Sequence, residues 1–166
     1  MQNLDKNLTI RDAVEADIAA LTEIKGAGSE TVHSYRLKEA RAGNLRYLVL
    51  LLGEELIGCG GLVILRSDTP HLPLVDDLEI KERLRGRGYG TTLLSAMEQI
   101  ARASGFRKIY QNVEPQENPR VYALYQRLGY QAVQNQPYYN KWEFVDSTGK
   151  IQSGEEWLID MVKQLA

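Results

Sequence analysis

The stretch Arg85-Gly86-Arg87-Gly88-Tyr89-Gly90-Thr91-Thr92 limits the fold most, because of what lies on either side of it. Before it, Leu74-Val75-Asp76-Asp77-Leu78-Glu79-Ile80 alternates imperfectly in the manner of a strand. After it, Leu93, Leu94, Met97, Ile100 and Ala101 recur as one helical stripe. The glycines at 86, 88 and 90 permit backbone conformations closed to other residues and leave no Cβ between amide N–H groups and a ligand. A helix starting near Gly90 points its unpaired N–H groups and its positive dipole end at the same spot. Strand, glycine turn and helix together predict an anion cradle whose natural occupant is a phosphate or pyrophosphate.

Spacing narrows the anion. Threonine at position 91 breaks the Gly-x-Gly-x-x-Gly pattern of dinucleotide sites, and no Lys-Ser/Thr pair closes the loop as in nucleotide P-loops. Formal net charge is −2, so the chain as a whole is no generic nucleic-acid binder. Residues 81–110 nevertheless hold seven basic side chains against two acidic ones, a patch centred on the glycines. A phosphate-backbone binder would also need an aromatic stacking surface beside those arginines, and no such surface accompanies them. Cys59 is the sole cysteine and reads as a small buried side chain. With only His33 and His71 besides, a zinc site is not expected, and no metal is assigned. Met1–Leu8 is polar, and no apolar run approaches the ~18 residues that cross a bilayer, so the expectation is a cytoplasmic protein without a membrane partner.

At 166 residues and 43% hydrophobic content, one domain over 1–166 is expected. Leu8–Ile10 reads as a short strand, Ile18, Leu21 and Ile24 as a helix face, and 30–42 as a second helix ended by Gly43. Leu45–Leu52 and Leu56–Leu65 form a hairpin, and Lys108–Val113 a further strand. Asn118-Pro119 starts a helix with Val121, Leu124, Tyr125 and Leu128 on one side, ended by Gly129. Tyr130–Val133 and Trp142–Val145 read as strands, and Glu155–Leu165 as an amphipathic helix. Trp142 and Trp157 are expected as core or interface anchors. This order predicts an α/β mixed sheet covered by helices, with its ligand at the carboxyl end of the strand before the glycines.

Arg85-Gly86-Arg87-Gly88-Tyr89-Gly90 resembles the Arg/Gln-x-x-Gly-x-Gly/Ala motif of the GNAT acetyltransferase superfamily. The segment from Asn118 through Tyr125 to Gly129-Tyr130 is similar to that family's Asn-x6-Tyr-x3-Gly-Phe/Tyr signature, at the expected distance. Departures are Glu82 where proline is common, Val121 for a frequent alanine, and a slightly long connection at Glu114-Pro115-Gln116-Glu117. The resemblance implies a mixed, mostly antiparallel, splayed sheet of about six to seven strands, with acetyl-CoA held between the strands at 75–80 and 108–113. It implies that the backbone of Leu78 and Ile80 pairs with pantetheine and that Arg85, Gly86, Arg87, Gly88, Tyr89, Gly90 and Thr91 take the pyrophosphate, with Arg83 adding charge.

The implied activity is acetyl transfer to a primary amine of a small molecule or peptide by direct attack in a ternary complex. An alkylamine with pKa near ~10.4 must lose a proton before it attacks. In the family pattern this role falls on the acidic residue two before Leu78, which is Asp76. Strand alternation predicts Asp76 on the same side as Leu78 and Ile80, with Asp77 and Glu79 facing the other way, so Glu79 is the second candidate. Tyr125 stands at the family's general-acid position. Asn118 would cap its helix and contact the pantetheine arm, and Asn112 would bind substrate or an ordered water. A homodimer is a further expectation, because dimers are common in the family. The competing reading is a non-catalytic acyl-CoA-binding or sensing domain, which would dispense with Asp76 and Tyr125.

Overall fold

The computed structural model describes residues 7–146 and 148–166; most of the polar start, residues 1–6, lies outside the described residues. The elements are β1 (Leu8–Asp12), α1 (Ile18–Lys25), α2 (Glu30–Arg41), β2 (Leu45–Leu52), β3 (Glu55–Val63), β4 (Leu74–Ile80), α3 (Tyr89–Ala103), β5 (Lys108–Val113), α4 (Pro119–Arg127), β6 (Gln131–Ala132), β7 (Tyr138–Val145) and β8 (Ile151–Gln164). The sheet runs β1-β2-β3-β4-β5-β8-β6, with β7 paired to β8. Every pairing is antiparallel except β4 with β5.

Helices cover both faces, which is why β2 reads as nearly all apolar, with only the exposed Arg46 interrupting it. Leu48 and Leu50 face α3 and α4, packing with Leu93, Leu94, Met97 and Tyr125. Tyr47 and Val49 face α1 and α2, packing with Leu21, Ile24 and Leu37. Gly43, Gly105 and Gly129 follow α2, α3 and α4 at φ 81°, 90° and 95°, as helix-terminating glycines do.

The helix expected over 155–165 is instead the second half of β8. Two ladders decide this: Val145↔Ile151 to Tyr138↔Leu158 against β7, then Val113↔Ile159 to Lys108↔Gln164 against β5. Leu158 and its neighbours Ile159 and Met161 are all buried, because the strand is covered on both sides there, and such a cluster imitates helical spacing. Trp142 and Trp157 are not core residues. They lie 40% and 58% exposed on the β7–β8 hairpin.

Two features of β4 shape the centre of the molecule. Parallel pairing with β5 covers only Leu74↔Tyr110 and Val75↔Gln111, after which β4 diverges and its remaining residues form one wall of a wedge. On its other edge, Cys59 pairs with Glu79 and Gly61 with Asp76, so Asp77 and Leu78 together oppose Gly60. This is a β-bulge, with Asp77 at φ 52°. The bulge overturns the expected alternation. Leu78 and Ile80 pack on the α3 side. Asp76 and Asp77 both reach Arg36 of α2 on the opposite face.

Candidate active site

The glycine stretch folds as a loop into the N-terminus of α3. Gly86 (φ 75°) and Gly88 (φ 91°) adopt left-handed conformations. Nothing lies within 4 Å of where a Cβ would stand on Gly86. Gly88 is the N-cap of α3 and carries no side chain to occupy the first-turn N–H groups. An open cavity of about 690 Å³ lies beside it, lined by Arg87, Gly88, Thr91, Thr92 and Ser95 among others.

The arginines do not share one task. Arg83 pairs with Glu55. Arg85 turns back along β4, donating from Nε to the Ile80 carbonyl at 2.9 Å and approaching Glu79 at 3.5 Å. Arg87 makes no ion pair among the described residues and faces the cavity. The basic patch is thus partly spent on internal ties. Tyr89 is buried at 6% exposure, so only its backbone belongs to the cradle surface.

Across the wedge, Tyr125 is buried with its ring 5.9 Å from Tyr130. Burial pushes its phenol up to about 12, so the hydroxyl keeps its proton at neutral pH. Asn118 occupies the N-cap of α4, where its carbonyl accepts from Tyr122 N–H at 3.1 Å, but its side chain makes no capping bond, contrary to expectation. Sequence reasoning passed over Gln111. It is 2% exposed, sits at the last β4–β5 pair, and its Nε2 has no hydrogen-bond partner among the described residues. Its side chain lies beside the Tyr130 phenol, which burial pushes up and Gln111 draws partly back down.

The other face carries carboxylates. Burial alone raises the Asp77 carboxyl, but Arg36 and Lys25 more than offset this and hold it below the usual range. Burial, then Asp77, pushes Glu79 up, against the pull of Lys25, Arg85 and Arg36. Asp76 has the loosest ion pair of the three, 3.8 Å from Arg36, and is 37% exposed. Beyond it stand Asn112 and Asp160, directly paired across β5 and β8. Asp160 takes hydrogen bonds from Tyr138 (2.6 Å) and His71 (3.1 Å). Glu156 is pushed up by burial, against a bond from Asn140, and Glu114 and Asp76 add to the rise. The Tyr35–Phe144 stack, at 4.5 Å, joins α2 to β7 along this side. No group of three or more His, Cys, Asp and Glu with metal-binding geometry occurs among the described residues.

Residues 14–130, about seven-tenths of the chain, match the family described as acetyltransferase (GNAT). The chain belongs to the GNAT acetyltransferase family. Mouse N-alpha-acetyltransferase 80 is 41% identical over 64 residues, covering 39% of this GNAT chain and 19% of the mouse protein. Among solved structures, yncA of Salmonella typhimurium with acetyl-CoA has a TM-score of 0.69 at 22% identity, covering 97% of this chain and 95% of that one. The phosphinothricin acetyltransferase of Sinorhizobium meliloti in complex with AcCoA has a TM-score of 0.68 at 24% identity, covering 96% and 89%. These likenesses establish that the splayed sheet is the GNAT fold. No helix among the described residues is long and apolar enough to cross a membrane.

Proposed function

We propose that this GNAT enzyme transfers the acetyl group of acetyl-CoA to a primary amine that carries positive charge, by direct attack in a ternary complex. The observation that carries the reading is the separation of β4 from β5 after Val75↔Gln111, which puts Asp76 at the apex of the wedge and the cradle at 85–91 at its mouth. Acetyl-CoA would supply the activated thioester. Its pyrophosphate would lie on the amides of Arg85, Gly86, Arg87, Gly88, Tyr89, Gly90 and Thr91, and its pantetheine along the edge of Leu78 and Ile80 that β5 leaves without a strand partner. Arg87, which makes no ion pair among the described residues, supplies the charge that the amides lack.

Position along β4 favours Asp76 over Glu79 as base. Glu79 lies three residues nearer the cradle, about 10 Å back along a strand. It also leans toward Arg85. Asp76 takes the amine's proton as the N–C bond forms and the C–S bond breaks. Tyr125, kept protonated by burial, hydrogen-bonds the developing thiolate and donates the proton that completes the free thiol. Asn112, opposite Asp160, orients the acceptor. Asp76, Glu114, Glu156 and Asp160 on the acceptor face favour a cationic amine such as a polyamine, an aminoglycoside or a lysine side chain. Asp76→Asn should lower kcat on the order of 10²-fold, with acetyl-CoA affinity retained. Unchanged kcat would remove Asp76 from the mechanism and leave Glu79 or water as base.

A further inference from the structure

We propose that Asp77 is a positioning residue: clamped by Lys25 of α1 and Arg36 of α2, it pins the β4 bulge and so turns Asp76 toward the acceptor while Leu78 faces the donor. The inference rests on reading Asp76 as the base.

Asp77 holds φ 52°, the one non-glycine residue with positive φ among those described. That conformation is strained for a residue with a side chain, though less for Asp than for most, so something must retain it. The carboxylate is the visible reason. Arg36 Nη1 meets it at 2.8 Å and Lys25 Nζ meets it from the other helix. Arg36 is itself fixed. Its side chain is only 12% exposed, and its guanidinium lies 5.7 Å over the Tyr47 ring. The Tyr47 hydroxyl contacts His33 Nδ1 at 2.7 Å, His33 Nε2 contacts Ser29 Oγ at 3.0 Å, and Ser29 donates to the Gly26 carbonyl at 2.7 Å. A continuous polar chain therefore runs from the α1–α2 loop to the bulge.

The bulge has a geometric consequence. In a regular strand, Asp76 and Leu78 share a face. With one extra residue between them, Asp76 points to the α1–α2 side and Leu78 to the α3 side, and a base and a donor-binding strand need that arrangement to meet an amine from opposite faces.

Two variants test this. Asp77→Gly keeps the freedom for positive φ and deletes the carboxylate, and Arg36→Gln deletes its main partner. Each should lower kcat/KM for the amine about tenfold or more while acetyl-CoA Kd stays within about twofold. Combining Asp77→Gly with Asp76→Asn should cost no more than Asp76→Asn alone. Hydrogen exchange over residues 74–80 should quicken in both variants, a readout independent of turnover. Multiplicative losses, wild-type kcat/KM, or unchanged exchange would overturn the clamp. Full activity of Asp76→Asn would instead sink the base assignment, and exchange alone would then decide the clamp, faster exchange supporting it and unchanged exchange overturning it.

Discussion

Gly60 and Gly61 are neighbours on β3 with opposite surroundings, and the account predicts opposite results for alanine at each. A Cβ on Gly60 would stand 2.6 Å from Met97 Cε, 3.0 Å from Leu78 Cδ1 and 3.4 Å from Leu78 Cα. The Met97 methyl can swing, but Met97 is fully buried, so it swings against other core side chains. Leu78 Cα is already at ordinary contact distance and need not move, so the strain falls on the Met97 methyl and the Leu78 side-chain end, which must both repack inside the core. Overpacking of this kind costs ~1–3 kcal/mol. For a domain of this size each kcal/mol shifts Tm by about 2–4 °C, so a fall of roughly 2–12 °C is expected. A Cβ on Gly61 would meet the Asp76 carbonyl at 3.5 Å and Asp76 Cβ at 3.8 Å, ordinary contacts. Gly61→Ala should therefore be neutral or stabilising by up to ~1 kcal/mol. Because the added methyl at 60 bears on the strand proposed to hold pantetheine, Gly60→Ala should also weaken acetyl-CoA binding, measured by calorimetry. Thermal melts of the two variants side by side decide the matter, and a Gly60→Ala protein as stable as Gly61→Ala would refute the reasoning.

Other perturbations probe separate parts of the site. Tyr125→Phe should lose on the order of 10²-fold in kcat with acetyl-CoA affinity nearly unchanged, and equal kcat at saturating amine would exclude the phenol. His33 is held down to about 4 by burial, then by Arg36 and Lys25. Its folded pKa lies below the unfolded ~6.5, so its contribution is intact above pH ~6.5 and is lost as pH falls toward 4, by up to about 3 kcal/mol. Denaturant unfolding at pH 7.5 and 4.5 should show a smaller drop for His33→Gln than for wild type, and an NMR titration of the ring near 6.5 would contradict the assignment.

The glycine loop and the helix it opens were legible in sequence because strand, glycines and helix lie side by side in the chain. Lys108–Val113 and Leu45–Leu52 were legible for a similar reason, since short strand-like runs bounded by turn residues need no distant information. The bulge at Asp77 was not, because it arises from the register of β4 on β3 and from two cations more than forty residues away. Residues 155–165 misled for the same cause: two ladders from separate strands override a pattern that locally suits a helix. Gln111 shows the limit from the other side. Its identity is plain in the sequence, but its burial at the last β4–β5 pair emerges only when the fold is assembled.

The central claim is that the wedge joins a donor held on the cradle to an amine beside Asp76. Thiol release from acetyl-CoA, followed across polyamines, aminoglycosides, lysine peptides and neutral amines, tests it most directly. Amine-dependent release with a product heavier by one acetyl group, fastest for a cationic acceptor, is the expected result. Acetyl-CoA binding without turnover of any amine would contradict it and leave a binding domain in its place.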